Sequence, residues 1–209
     1  MAMTGFDPVA VTTSITKIQS SYDSLMQALI NDTQTKFVDE MAKVWACKQA
    51  QEFFNGPFIT SIEELATGVT EIFESVVNSM NSTAGLWAAR TGTTYTKKTF
   101  VPNNSKLNVS VIKENLNGVR GIDEPRAQEI KEALKITNID SALDSAKAAV
   151  ANCGFLGGEE ELITTLGTIK NNVSTTIAKV LEATQSYINS TLVVYGDAVE
   201  KAKANFRGE

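Results

Sequence analysis

The stretch Val44-Trp45-Ala46-Cys47-Lys48-Gln49-Ala50-Gln51-Glu52-Phe53-Phe54-Asn55-Gly56-Pro57-Phe58 constrains the fold more than any other. One Trp and three Phe crowd around a Gly-Pro break, and helical periodicity runs into it and out of it. Upstream, Val11, Ile15, Ile18, Tyr22, Leu25 and Leu29 alternate spacings of four and three. Phe37, Met41 and Val44 or Trp45 take up the stripe again beyond a polar patch around Thr33. Downstream, Phe58, Ile62, Leu65, Val69, Ile72 or Phe73, Val76, Met80, Thr83 and Trp87 repeat the pattern. That spacing marks a narrow a/d seam, the kind used for helix-on-helix packing. Two seams of similar length around a short break predict an antiparallel helical hairpin. Each arm would be about 50 Å long at ~1.5 Å per residue, and two helices alone bury too little surface to hold together. The hairpin needs the second half of the chain or another subunit.

Local signals set the ends. Asp7 can cap the first helix, with Pro8 at its first position, where a missing N–H costs nothing. Pro57 suits the start of the next helix, and Ser61 with Glu64 can close a capping box. Residues 93–110 are β-branched, Asn-rich and broken by Pro102, which reads as an irregular or β-like linker after a first region at 1–92. The remainder, 111–209, reads as helical again. An extra short helical element falls at 111–135, with Asp123 as a cap, and a second hairpin spans about 138–206. Its bend is Asn152-Cys153-Gly154-Phe155-Leu156-Gly157-Gly158. Glu159, Glu160 and Glu161 follow at the positive end of a helix dipole, and Leu162, Leu166, Ile169, Val173, Ile177, Val180, Thr184, Tyr187 and Val194 form a third seam. The fold class expected is all-α: long antiparallel hairpins in an elongated four-helix-type bundle.

The chemistry-bearing residues are sparse. The 209 residues contain no His, which removes the commonest general base and the Ser-His and Cys-His nucleophile pairs. Two cysteines, Cys47 and Cys153, cannot build a four-thiolate metal site. Each sits at a bend, where a bridge is conceivable in an exported protein, although two thiols packed as small apolar groups is the plainer reading. A net charge of −5 lacks the basic footprint of a nucleic-acid binder. Leu116 to Ile130 resembles a helix-hairpin-helix DNA-binding motif, but Asp123 replaces the second Gly of its phosphate-holding turn and would repel the phosphate. No catalytic residue, cofactor or metal is expected, and no enzyme. The N-terminus carries no readable Sec signal, and no run approaches the ~20 apolar residues of a membrane span.

The bend is similar to that of the Trp-X-Gly (WXG) family, small helical hairpins exported by type VII secretion. The resemblance covers about residues 9–90. It rests on Trp45 at the end of a long first helix, Ala50, Phe53 and Phe54 beyond it, and a second amphipathic helix ending in Ser82-Thr83-Ala84-Gly85-Leu86-Trp87-Ala88. Cys47 stands where the family has Gly, so the first helix can run on unbroken and the bend can shift to Asn55-Gly56-Pro57. The family's export signal, a Tyr followed four residues later by Asp or Glu, is missed by Tyr195-Gly196-Asp197-Ala198-Val199-Glu200. The resemblance implies a non-enzymatic protein, secreted or at the cell surface by a signal-peptide-independent route and otherwise cytoplasmic. It would associate through helices with itself, with a cognate helical protein or with the secretion machinery. Trp45, Cys47, Phe53, Phe54 and Trp87 are its motif or interaction residues, unless they are simply the core of the hairpin tip. The alternative is a self-assembling structural subunit, such as a filament, surface or phage-type helical protein, with the 91–110 arm in its contacts.

Overall fold

Asp7 opens the first helix of the computed structural model, its carboxylate accepting from the N–H groups of Val9 (2.9 Å) and Ala10 (3.1 Å), with Pro8 in the first turn. The structure describes residues 6–109, 125, 128, 139–154 and 156–207. The expected element at 111–135, the helix-hairpin-helix-like stretch and Phe155 lie outside these residues, except for Pro125 and Gln128, which are exposed. The described chain is all-α and contains no strand. Its elements are α1 (Pro8–Met26), wide π-type turns at Gln27–Asp32 and Gln34–Val38, α2 (Asp39–Val44), α3 (Lys48–Phe53), a π-type turn at Phe54–Phe58, α4 (Ile59–Thr91), α5 (Ile139–Ala151) and α6 (Glu159–Arg207).

The break in the first half falls at Trp45–Cys47 and not at Gly56 alone, as the Cys-for-Gly exchange leads one to expect. Trp45 leaves helical geometry at φ −132°, ψ 73°, and Cys47 is extended at φ −142°, ψ 177°. Extended backbone is open to any residue, so this break needs no glycine. Gly56 adds a kink (φ −117°, ψ −107°), but the helical run passes through it into α4. Ser61 therefore lies inside a continuing helix and caps nothing.

Contacts divide the chain into two compact units, each assembled from three segments. The first comprises Met1–Leu29, Glu64–Ser105 and Ile136–Ser174. In it α1 packs on α5. Val11, Ile15, Ile18, Tyr22 and Leu25 are buried, as are Val69, Phe73, Val76, Met80 and Ala84 of α4, Leu143, Ala146 and Val150 of α5, and Leu166, Ile169 and Val173 of α6. The bend before α6 uses three left-handed glycines, Gly154, Gly157 and Gly158, with φ of 81°, 77° and 93°. At Gly154 a Cβ would also stand 3.0 Å from that of Ala10, so a side chain there would strain the backbone and press on α1.

The second unit comprises Ile30–Glu63, Lys106–Lys135 and Thr175–Glu209. Its core is aromatic: Phe37, Trp45, Phe53, Phe54 and Phe58 are buried together with Met41, Ile62, Val180 and Ile188. The π-type turns ahead of α2 change the phase of the apolar stripe, and they bury Ile30 and Val38 beside the expected Leu29 and Phe37. They also bury Thr33, whose hydroxyl is the one buried side-chain polar atom among the described residues without a hydrogen-bond partner. Thr33→Val replaces that hydroxyl with a methyl of similar size. It should raise the unfolding free energy by about 1 kcal/mol in urea titration.

Candidate functional site

Of the five motif residues, four are interior. Trp45 is 1% exposed and Phe53 and Phe54 are fully covered, while Cys47 is buried behind the break. The rings form one cluster. Trp45 lies 5.5 Å from Phe53 and 5.9 Å from Phe54, centroid to centroid, and Phe53 and Phe54 meet edge-on at 4.9 Å. Phe58 and Phe37 close one side, and Tyr187 of α6 stands 5.7 Å from Phe53. The indole N–H of Trp45 donates to Thr191 Oγ1 at 3.1 Å, and that hydroxyl in turn donates to the Tyr187 carbonyl at 2.9 Å. The Cys47 sulfur lies 3.8 Å from the same oxygen.

Trp87, half-buried, belongs to the other unit, where its indole N–H donates to the Leu156 carbonyl at 2.9 Å and ties the end of α4 to the glycine bend. The carboxylate of Glu159, the first residue of α6, caps the same bend by accepting from the N–H groups of Leu156 (2.6 Å) and Gly157 (3.1 Å). Cys153 points at that carboxylate from 3.9 Å. Both cysteines are free and buried. Burial, and then the Glu159 charge, push the Cys153 thiol above its ordinary value.

What stands open to solvent is different. Val193 (64% exposed), Val194, Val199 and Phe206 (94% exposed) lie on the last turns of α6. The sequence reading stopped the third seam at Val194. Beyond it Val199 and Phe206, seven residues apart, share one helix face, among Asp197, Glu200, Lys201 and Lys203. Elsewhere, a shallow strip on α4 is lined by Glu71, Glu74, Ser75, Asn78, Ser79, Ser82 and Thr83, polar throughout. Among the described residues no group of three or more His, Cys, Asp or Glu could hold a metal ion, and no helix is long and apolar enough to cross a membrane. No family model, curated protein or solved structure significantly matches the chain.

Two outcomes follow. Trp45→Ala should cost about 3–5 kcal/mol of stability by chemical denaturation, as for a large core ring. Loss of partner binding at unchanged stability would instead put the indole at a binding surface. For Cys153, the unfolded thiol ionises near pH ~8.5 while the folded one keeps its proton. Its contribution is thus complete below that pH and lost as pH rises through the folded value. Between about pH 7 and about pH 9.5, stability should fall more in the wild type than in Cys153→Ala.

Proposed function

We propose that this protein is a non-enzymatic, WXG-like helical protein that works by helix-to-helix association with a second copy or a cognate helical partner, and that it is a substrate or partner of type VII secretion. The observation that carries the association is the set of uncovered apolar side chains on α6, above all Val199 and Phe206. Leaving a Phe 94% exposed forfeits burial worth about 1.5–3 kcal/mol, which a partner helix recovers. The family part of the reading draws on Trp45-Ala46-Cys47, where α2 ends and α3 begins, at the position of the family's Trp-X-Gly break. In this reading the helices flanking that break form a hairpin, and the chain as a whole is a bundle of such hairpins. The motif aromatics then serve as the core that fixes the break, and the partner meets α6.

Sedimentation equilibrium tests the association. The wild type should self-associate, or pair with a helical protein encoded beside it. Val199→Ser with Phe206→Ser should weaken that association at least tenfold while circular dichroism and melting stay unchanged. A chain that is a monodisperse monomer, and that stays in the cell while type VII machinery is active, would sink the reading. Ordered polymers by negative-stain microscopy would favour the structural-subunit alternative.

A further inference from the structure

Residues 93–105 cross the first unit as an extended strap, and side-chain carboxamides hold its backbone. Asn81 of α4 donates from Nδ2 to the Lys98 carbonyl (2.8 Å) and accepts from the Lys98 N–H (3.0 Å). Gln19 of α1 does the same to Val101, donating at 2.9 Å and accepting at 3.0 Å. Tyr22 adds a third reading, since its hydroxyl oxygen accepts from the Asn103 N–H at 2.8 Å and lies 3.0 Å from Thr70 Oγ1. Between these points Phe100 is buried edge-on against Tyr22, 4.8 Å between centroids. Tyr95 bonds to Asn81 Oδ1 at 2.8 Å. Thr94, Thr96, Lys97, Lys98, Thr99 and Val101 all face solvent.

These are the contacts of a peptide in a groove. Each carboxamide copies the paired N–H and C=O of a neighbouring strand, so it recognises extended backbone of any sequence, and a single aromatic side chain sets the register. The site is built, and this chain's own strap fills it. We propose that the groove between α1 and α4 is a docking site for an extended segment, and that the segment it takes in trans is the strap of a second copy. That strap brings the same Tyr95 and Phe100, so exchange conserves every contact, as in domain swapping. Charge favours it too. Residues 93–109 carry Lys97, Lys98 and Lys106 and no acid, while Asp23 accepts from Gln19 at the groove and Glu71 and Glu74 stand exposed on α4. The resident strap is held by side-chain hydrogen bonds, four of them part-buried, and by the buried Phe100 ring, with no strand ladder among the described residues, so its release leaves the helices intact. This association uses none of the α6 residues invoked above.

The test is fluorescence anisotropy with a labelled peptide of residues 93–104. Binding to the full chain should tighten at least tenfold when the resident strap is weakened, either by Phe100→Ala or by Lys98→Pro, which removes the N–H that Asn81 accepts together with the exposed Lys98 side chain. Gln19→Ala with Asn81→Ala should abolish the gain, and so should Phe100→Ala in the peptide. Raised salt should weaken binding. Absence of saturable binding to a Lys98→Pro chain with native circular dichroism would overturn the proposal. Equal binding of a scrambled peptide of the same composition would overturn the assignment to a second copy's strap. The Val199→Ser, Phe206→Ser chain should keep peptide binding, so this surface and the α6 surface fail separately.

Discussion

Stopping a helix at Trp45 and restarting it at Lys48 leaves backbone groups at both new ends without intrahelical partners. What offsets that cost is the ring cluster that the break allows to form. With Trp45 out of helical geometry, its indole meets Phe53 of α3 and Phe54 of the π-type turn that follows, and Phe37 and Phe58 complete the enclosure. Burying an indole brings its own liability, because an unpaired N–H in an apolar setting costs about 1–3 kcal/mol. Thr191 removes it. A hydroxyl on the covered face of α6, which packing alone would fill with Val or Leu, accepts the indole hydrogen and passes its own to the carbonyl one turn earlier.

Much of this was legible in residue spacing. Asp7-Pro8 and the three glutamates at 159–161 mark helix starts that the structure has, and most of the residues in the three seams are buried. The bland reading of Trp45, Phe53 and Phe54 as core matches their burial. The break differs from the expected one for a specific reason: it uses extended backbone, for which Cys47 serves as well as Gly, and the left-handed freedom of Gly is not needed there. Pro57 opens no new helix for a similar reason, since a kink absorbed by Gly56 and a wide turn lets the helix pass a proline without a new start. Gln19, Gln34, Asn81 and Thr191 carried no signal at all. On a helix they look like ordinary polar residues, and their partners lie tens of residues away, beyond what periodicity records.

Those carboxamides answer one accounting problem twice. An irregular segment exposes an N–H and a C=O at every non-proline residue, and near a protein surface they need partners. No strand exists among the described residues to supply a ladder. In the first unit Asn81 and Gln19 act as one-residue strands for Lys98 and Val101. In the second, Gln34 treats Asn108 identically, at 3.2 and 2.8 Å, beside the buried Leu107 and Val109. Among the described residues, which contain no strand, the pairing chemistry of a sheet edge is thus supplied by helix side chains.

The far end of α6 poses the opposite case. Between Leu166 and Thr191 its seam contributes buried side chains, among them Val180, Thr184 and Ile188. From Leu192 to Arg207 the backbone stays helical although Val193, Val199 and Phe206 remain open. An isolated helix of about this length is marginal in water, so the segment depends on being the continuation of a helix nucleated and packed further back. Its surface ion pair, Lys203 to Glu200 at 2.8 Å, lies three residues apart and exposed, worth a few tenths of a kcal/mol at most. Helix propensity and continuity sustain the backbone there, while the apolar side chains divide between two faces, Val193 on one and Val199 with Phe206 on another. Val199 and Phe206, seven residues apart, share one face of that helix, and it is this face that the proposed association would cover.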